Sequence, residues 1–493
     1  PGALIASLSI PWGDEKGDYE LGGYHLVWTR DMVNTATGML ATGNSEGPLR
    51  ALIYLAATQY ADGGFPQNFW ITGEPYWTGV QLDEVAFPII LAWRLWDGGG
   101  LEQFDPYPLV RRAAGYLIRN GPATPQERWE EASGYSPSTL AAAIAALVCA
   151  GEMAKSRGDT ALAEFLCDYA DFLETRVETW TVTTAGTLLA DVPRHYIRIH
   201  PVDPADPYPN EDPNEGVLVL ANQPPGSRYA WPAKEIVDAG FLELVRYGVR
   251  QAGDPLVESS LRVVDRHLKF ECPWGVAWYR YNHDGYGQRA DGSGYHDWGR
   301  GRPWPLLAGE RGHYEFAAGR DPMPYVRSFE GFANGIGLLP EQVWDGADIS
   351  HLGLIFGRPT GAAMPLMWAH AEYIKLLRST RDGTVFDRIG PVADRYQTPA
   401  RRNGLMEVWK PSRRATTVRR GGTLRVIAPA RFTLFSSEDG WASQERREAA
   451  PTGIGIWHVD LDVRPDGPGA LDFAFEGIDG DWARFGHTVR VID

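Results

Sequence analysis

The chain has 493 residues, of which 44% are hydrophobic and 22% charged, as expected of a soluble globular protein with a sizeable core. A net charge of −16 argues against a nucleic-acid-binding surface, which needs clustered Lys and Arg, and favours a neutral or cationic partner. No run of 18 apolar residues is present, so we expect no membrane span.

Apolar residues recur at three- and four-residue spacing from about residue 31 to residue 379, which predicts paired helices. Ser136 before Pro137 is typical of a helix start, and Gly43 of a helix end. About eleven helices with long Trp-, Gly- and Pro-rich connections suit a double ring of antiparallel helices. The predicted helices are 31–42, 46–61, 83–96, 107–119, 137–157, 160–181, 235–251, 255–269, 302–319, 322–335 and 361–379.

Two segments depart from the helical pattern. Residues 183–234 are irregular, and the acids of residues 201–215 could hold calcium or lie on a solvated loop, although their spacing matches no EF-hand. After about residue 400 the apolar residues alternate with period two, which predicts a small all-β, sandwich-like domain. We therefore predict a mainly α domain over 1–400, a linker near 398–404 and a β domain over 401–493.

Aromatic residues carry the first functional signal. Many of the 19 tryptophans stand in predicted loops beside glycines, prolines and acids, where they suit a ligand with apolar CH faces and many hydroxyl groups, such as a sugar. No nucleotide-binding, zinc-protease or serine-hydrolase motif is present. The three cysteines form no metal or disulfide spacing, and we interpret them as buried thiols.

Paired carboxylates carry the second signal. Glu130 and Glu131 follow Trp129, and an indole beside a partly desolvated carboxyl group raises its pKa, as a general acid requires. Taken alone, the pair is better explained as surface charge near a helix N-terminus. Glu341 stands in a second loop beside a tryptophan, and glycoside hydrolysis needs two such groups.

A third cluster, Arg30–Asp31, stands at the predicted start of the first helix. Asp31 could cap that helix while Arg30 is solvated. The pair could instead hydrogen-bond the hydroxyl groups of a terminal sugar, which would make the site a closed pocket.

Seven motifs, in the same order along the chain, resemble the bacterial glucoamylase and glucodextranase family, glycoside hydrolase family 15. The resemblance implies an (α/α)6 barrel and an inverting exo-hydrolysis that releases β-D-glucose from the non-reducing ends of α-glucans. The motifs are Y-H-L-V-W-T-R-D-M (24–32), P-Y-W-T-G-V-Q-L-D-E (75–84), E-R-W-E-E-A-S-G-Y-S-P-S-T (127–139), W-Y-R-Y-N-H-D-G-Y-G (278–287), R-P-W-P-L-L-A-G-E-R-G (302–312), P-E-Q-V-W-D (340–345) and P-L-M-W-A-H-A-E-Y (365–373).

The same resemblance assigns roles to residues. It makes Glu130 the general acid, Glu341 the general base and Glu131 a substrate ligand, with Arg30 and Asp31 holding the terminal glucose. Inverting enzymes keep the two catalytic carboxyl groups ~6.5–9.5 Å apart, which leaves room for water. The remaining substrate-binding residues that it implies are Tyr24, Trp28, Trp77, Gln81, Asp83, Arg280, Trp304 and Trp368, with Trp129 as an apolar wall.

Several alternatives stay open. We favour α-1,4 linkages because that activity is the commoner one in the family; α-1,6 glucohydrolases, a trehalase and a non-catalytic glucan-binding protein are the alternatives. No cofactor or catalytic metal is expected. Family members usually carry a β-sandwich before the barrel, whereas this chain starts at Pro1 where the barrel would start. We expect such a domain or fragment to pack on the barrel, and a secreted or periplasmic location.

Overall fold

A computed structural model of the chain describes residues 1–12, 24–398, 405–480 and 483–493. Within these ranges the part up to residue 398 is mainly helical and the part from residue 405 is mainly β, which confirms the prediction of a mainly α protein with a β-rich C-terminal region. The described helices are α1 (Thr29–Ala41), α2 (Glu46–Thr58), α3 (Leu82–Asp97), α4 (Tyr107–Asn120), α5 (Pro137–Ser156), α6 (Thr160–Thr181), α7 (Leu242–Arg246), α8 (Pro255–Leu268), α9 (Pro305–Ala317), α10 (Met323–Phe332), α11 (Met367–Asp382) and α12 (Gly390–Tyr396).

Six helices pack in a closed cycle. Helix α1 contacts α3, α3 contacts α5, α5 contacts α7, α7 contacts α9, α9 contacts α11, and α11 returns to α1. Helices α2, α4, α6, α10 and α12 pack against members of this cycle as a second layer. The shared core of the two layers runs through nearly all of these helices.

Helix α5, one of the six helices of the cycle, lies in the core of the protein. It is apolar on all sides, and almost every residue is buried, from Pro137 to Ala154. Among the described residues it alone is long and apolar enough to cross a membrane, but 94% of its most apolar window is buried inside the protein. These features are those of a core helix.

Helix boundaries differ from the prediction where loops approach the cavity. The predicted helix 235–251 is reduced to α7: its predicted start falls at the end of a 3₁₀ turn, Ala233–Glu235, and its C-terminal end is set by Gly248, which takes a φ of +99° directly after the helix cap Tyr247. Helices α9 and α11 begin later than predicted, since Trp304 is extended and pairs with Trp278, and Leu366 pairs with Ser7. The short helix α12 was not predicted.

The strands of the described residues are β1 (Val27–Trp28), β2 (Asn68–Phe69), β3 (Val182–Thr183), β4 (His195–Tyr196), β5 (Val217–Val219), β6 (Ala230–Pro232), β7 (Lys269–Cys272), β8 (Gly275–Trp278), β9 (Met406–Trp409), β10 (Thr417–Arg419), β11 (Thr423–Ala428), β12 (Thr433–Ser437), β13 (Glu445–Glu448), β14 (Ala450–Pro451), β15 (Trp457–Asp462), β16 (Ala470–Glu476) and β17 (His487–Ile492). In these ranges the strands β1 to β8 form four two-stranded sheets, whereas those after residue 405 form two larger sheets. The larger sheets have the strand orders β10-β17-β16-β12-β13 and β14-β15-β11-β9, and they share one apolar core around Trp409, Leu434 and Phe473.

The acidic segment 201–215 is docked rather than simply solvated. Arg413, which is 1% exposed, donates to both carboxylate oxygens of Glu211 at 2.7 and 3.0 Å and to Glu407 of β9 at 2.6 Å. Tyr135 also donates to Glu211 at 2.6 Å. No group of three potential metal-ligating side chains occurs in the described ranges, which include all of this segment, so the calcium hypothesis gains no support. Most of the predicted linker, residues 399–404, and the predicted domain boundary lie outside the described residues.

Lys410 joins the β region to the helical part, and we expect its loss to destabilise the protein. The buried ammonium group donates to the carbonyl oxygens of Ile118 at 2.7 Å and Arg119 at 3.3 Å, and to that of Gly121, at the C-terminal end of α4. Charged donors there satisfy carbonyls that lack helical partners. Lys410→Met should lower the free energy of unfolding by about 1.5–3 kcal/mol, measured by urea denaturation. The exposed Lys155→Met is the matched control, and equal effects of the two would contradict this role.

Candidate functional site

A cavity of about 690 Å³ opens where the N-terminal ends of several inner helices meet. Helix α1 contributes its first turn, α9 its N-cap residue and α11 its first turn, and the loop before α5 forms another wall. Twelve of the fourteen predicted site residues line this cavity. They are Tyr24, Trp28, Arg30, Asp31, Trp77, Trp129, Glu130, Glu131, Arg280, Trp304, Glu341 and Trp368.

The other two predicted residues, Gln81 and Asp83, lie behind the cavity wall. Asp83 accepts from Nε of Arg30 at 2.7 Å and from its Nη2 at 3.2 Å, and Gln81 also accepts from Nη2. Both residues are at the start of α3 and are buried. They hold the guanidinium of Arg30, so their contact with the cavity is indirect.

Glu130 occupies a left-handed turn, with a φ of +67° and its amide donating to the carbonyl of Glu127 at 2.7 Å. Its Oε2 accepts from Gln67 at 2.8 Å, and its Oε1 lies 3.7 Å from Arg30. Burial raises the pKa of Glu130 above its ordinary value, although Arg30 and Gln67 act in the opposite direction. The group is thereby biased towards the protonated form that a general acid needs.

Glu341 is fully buried and is held by two donors. Tyr24 donates to its Oε1 at 2.7 Å, and the amide of Ala363 donates to its Oε2 at 3.2 Å. Burial raises the pKa of Glu341 to about 7, while both hydrogen bonds act to lower it. A second tyrosine, Tyr286, has its hydroxyl 2.6 Å from that of Tyr24. Because Tyr24 gives its single proton to the carboxylate, Tyr286 must donate to Tyr24.

We expect Tyr24→Phe to raise the pKa of Glu341, because the substitution removes a hydrogen bond that favours the carboxylate. A general base works only when ionised, so activity at low pH should fall. The acidic limb of the pH profile of kcat/KM should move up by about one pH unit. An unchanged acidic limb would show that Glu341 does not set it.

Glu131 has the opposite environment to Glu130. Its Oε1 accepts from Arg280 at 3.0 Å, and its Oε2 accepts from Arg198 at 3.0 Å and from the hydroxyl of Tyr281. Burial opposes ionisation, but Arg280 and Arg198 outweigh it and hold the pKa of Glu131 below its ordinary value. Glu131 is therefore a fixed, ionised hydrogen-bond acceptor rather than a proton donor.

Arg30 and Asp31 neither cap the helix nor lie in solvent. Arg30 is 2% exposed, and Asp31 makes no capping hydrogen bond. Burial raises the pKa of Asp31 to about 7, against the lowering effect of Arg30. Both side chains face the cavity, where a charged donor and a carboxyl group lie side by side. Together the two groups offer hydrogen-bond donors and acceptors to the hydroxyl groups of a ligand.

Aromatic rings cover much of the cavity wall. Trp28, Trp129, Trp304 and Trp368 are each less than 8% exposed, whereas Trp77 is 39% exposed and lies near the mouth. Trp129 and Trp304 meet edge to face, with ring centroids 5.7 Å apart. The flat rings offer apolar faces to the CH groups of a ligand.

Several cavity residues with polar or aromatic contacts were not predicted from the sequence. Tyr286 and Arg128 stand within the motifs W-Y-R-Y-N-H-D-G-Y-G and E-R-W-E-E-A-S-G-Y-S-P-S-T, but the sequence holds no signal that Tyr286 reaches Tyr24. Others come from loops with no distinguishing pattern, and they include Trp12, Gln67, Gln126, Asn222 and Tyr295.

The site therefore combines three carboxyl groups of raised pKa, those of Glu130, Glu341 and Asp31, with the ionised Glu131, the guanidinium of Arg30 and flat aromatic walls. The family model of glycosyl hydrolases family 15 matches residues 61–378. The chain belongs to glycosyl hydrolase family 15. Tyr24, Trp28, Arg30 and Asp31 lie before the matched residues but share the same cavity.

Relatives within family 15 include a glucoamylase of Clostridium sp. (strain G0005), 46% identical over 396 residues. That alignment covers 80% of this chain and 52% of the relative, so the chain spans about half the length of that relative. A crystal structure of a bacterial glucoamylase complexed with acarbose is 45% identical, with a TM-score of 0.72, over 80% of this chain and 55% of the other.

A more distant structure shares the fold alone. The glucoamylase from Saccharomycopsis fibuligera is 16% identical to this chain, with a TM-score of 0.54. The alignment covers 78% of this chain and 89% of that one. The helical framework is thus retained at an identity too low to carry over the chemistry.

Proposed function

We propose that the protein is an inverting, exo-acting glucohydrolase that releases β-D-glucose from the non-reducing ends of α-glucans. The observation that carries this proposal is the pair of carboxyl groups, Glu130 and Glu341, in one cavity. Burial raises the pKa of both, and each is held by hydrogen bonds, Glu130 by Gln67 and Glu341 by Tyr24 and the amide of Ala363. Inverting hydrolysis needs one such group as the acid and one as the base.

In this proposal each carboxyl group moves one proton. Glu130 gives its proton to the glycosidic oxygen as the bond from that oxygen to C1 breaks. Glu341 takes a proton from a water molecule whose oxygen attacks C1 from the opposite face, so the configuration at C1 inverts. Glu130 ends as a carboxylate and Glu341 as an acid, and exchange with water restores both.

The other charged residues hold the substrate in this scheme. Arg30 and Asp31 bind hydroxyl groups of the terminal glucose, which limits cleavage to chain ends. Glu131, kept ionised by Arg280 and Arg198, accepts hydrogen bonds from the sugar on the leaving-group side. No step requires a metal ion or a cofactor.

We further propose that the closed cycle of six helices is the inner ring of an (α/α)6 barrel over residues 1–400, followed by a β-sandwich over 401–493. The cyclic packing of alternate helices and the two sheets around one core support this division. The proposal also includes an N-terminal β-sandwich domain that packs on the barrel. It further includes secretion, or export to the periplasm, where the protein would meet α-glucans.

Similarity to glucoamylases favours α-1,4 linkages, with α-1,6 linkages as the alternative. The test is to incubate the protein with maltotriose, isomaltotriose and trehalose and to follow the anomeric protons by NMR. We expect maltotriose to be consumed fastest and β-glucose to appear before its α-anomer. Initial release of α-glucose would contradict inversion, faster loss of isomaltotriose would favour α-1,6 specificity, and binding without glucose release would indicate a non-catalytic glucan-binding protein.

A further inference from the structure

The N-terminal segment, residues 4–12, is built into the cavity wall. It runs between the loop that carries Tyr24 and the loop that follows Glu341, and four main-chain hydrogen bonds and one to a serine side chain fix it on both sides. The amides of Ala6, Ser7 and Trp12 donate to the carbonyl oxygens of Leu26 (3.1 Å), Tyr24 (2.9 Å) and Gly361 (2.5 Å), respectively. In the other direction, the amide of Met367 donates to the carbonyl oxygen of Ala6 (3.0 Å), and the amide of Met364 donates to Oγ of Ser9 (2.9 Å).

Trp12 ends this segment with its indole set against the cavity. Its φ is +59°, a conformation that non-glycine residues adopt only when surrounding contacts impose it. Gly294 and Gly361 leave room for the ring, because a Cβ on either would lie 3.0 or 2.8 Å from Trp12 side-chain atoms. The backbone conformation of Trp12 and the packing of its side chain against Gly294 and Gly361 therefore both determine the position of the indole.

Two tyrosines pack on this indole. The ring of Tyr286 meets Trp12 edge to face with centroids 5.5 Å apart, and the ring of Tyr295 lies 5.3 Å away. The two tyrosine rings are 5.1 Å apart and nearly perpendicular. All three line the cavity, so they form one aromatic cluster in its wall.

A chain of hydrogen bonds runs from each tyrosine to a carboxylate of the site. The hydroxyl of Tyr286 is 2.6 Å from that of Tyr24, which donates to Glu341 at 2.7 Å. The hydroxyl of Tyr295 donates to Oδ1 of Asn222 at 2.7 Å, and Nδ2 of Asn222 donates to Glu131 at 3.2 Å. One indole thus supports the rings from which both chains start.

We propose that Trp12 is a positioning residue whose indole fixes Tyr286 and Tyr295, and through them the base Glu341 and the substrate ligand Glu131. The inference rests on the proposed function. It assigns a role to a residue that lies well before the part of the chain matched by the family model, residues 61–378.

The effect on Glu341 has a defined sign. When Tyr286 donates to Tyr24, the hydroxyl of Tyr24 becomes a stronger donor to the carboxylate. Besides Tyr24, Glu341 faces the amide of Ala363, the charge of Arg280, which favours its ionised form, and that of Asp31, which opposes it. Loss of the indole removes no contact of Glu341 itself, and it weakens the tyrosine chain and the packing of Tyr286 against Arg280, whose guanidinium lies 4.9 Å from that ring. Both changes act in the same direction, because Tyr24 and Arg280 each favour the carboxylate. The carboxylate should then become harder to form.

The experiment measures kcat/KM for maltotriose against pH in the full chain and its variants. Trp12→Ala should lower kcat/KM about 10-fold at neutral pH and move the acidic limb up by about half a pH unit. Trp12→Phe should restore most of kcat/KM and most of the original position of the acidic limb.

Tyr286→Phe should move the acidic limb by the same amount as Trp12→Ala. The double variant should show no further shift, because both substitutions break the same hydrogen-bond chain to Glu341. Trp274→Ala, which removes a 40% exposed indole outside the cavity, should change neither quantity.

The inference is overturned if Trp12→Ala folds and leaves the acidic limb in place, or if its shift adds to that of Tyr286→Phe. Failure of the proposed function is recognised separately, as absence of glucose release by the unaltered protein. In that case, isotope-edited NMR titration of the Glu341 carboxyl group, assigned by difference with Glu341→Gln, gives the same comparison without turnover. An unchanged Glu341 pKa in Trp12→Ala then overturns the inference.

Discussion

Glu130→Gln and Glu341→Gln should each lower kcat on maltotriose by about 10²- to 10⁴-fold while leaving the fold intact. Glutamine has nearly the size of glutamate, so Gln67 and Tyr24 keep a partner, but the proton transfer is lost. Initial rates of glucose release give the magnitude, and thermal unfolding of each variant tests the fold.

The two variants should differ with α-glucosyl fluoride, whose leaving group needs no proton. Glu130→Gln should recover most of its activity on this substrate, and Glu341→Gln should not, because water still has to be deprotonated. Glu46→Gln, which alters an exposed carboxylate on α2, is the control and should behave like the unaltered protein. Near-normal turnover of maltotriose by either active-site variant would refute its assignment.

The second large effect concerns stability. Arg128 is 2% exposed, and it lies 3.0 Å from Glu310, 3.3 Å from Glu243 and 3.7 Å from Asp238. Arg128→Met leaves three buried carboxyl groups without their cation, which should cost about 3–5 kcal/mol of unfolding free energy at pH 7. Urea unfolding measures this loss.

The loss should shrink at pH 5. Burial already raises the pKa of Asp238 to about 6, and also raises that of Glu243 above its ordinary value. Without Arg128 the pKa values of Asp238 and Glu243 rise further. At pH 5 the folded protein then keeps protons on these carboxyl groups that the unfolded chain has released. Acids of raised pKa favour folding below their unfolded pKa and lose that contribution as pH rises. Arg50→Met breaks an exposed ion pair and should cost under about 1 kcal/mol. An equal loss at both pH values would contradict this account.

Most helix positions could be predicted because an amphipathic helix buries one face at a regular spacing, and this spacing is visible in the residues alone. Helix α8 is an example, since its range Pro255–Leu268 matches the predicted 255–269 to within one residue. The reduction of 235–251 to α7 could not be anticipated. The apolar spacing continues through that segment, and it is the left-handed Gly248, packed against Ala393, that ends the helix.

The site, too, could be predicted from the sequence only in part. Glu130, Glu131 and Glu341 carry recognisable motifs, so their presence in one cavity was foreseen, while their catalytic roles stay predictions. The left-handed turn at Glu130 was not foreseen, because it depends on tertiary contacts rather than on local residue preference. Asp83 was placed at the sugar, whereas the structure places it behind Arg30. A sequence does not show whether a side chain lines a cavity or lies behind the residues that line it.

The docking of the β region bears on how such proteins can diverge. Lys410 closes the end of α4, Arg413 joins segment 201–215 to β9, and Arg425 reaches Asp168 of α6 at 3.0 Å. A recombination event that replaced everything after residue 400 would remove these cations and leave the carbonyls of α4 and the carboxylates of Glu211 and Asp168 without them. We therefore expect the two parts to be inherited together, with compensating substitutions appearing across this interface in related lineages.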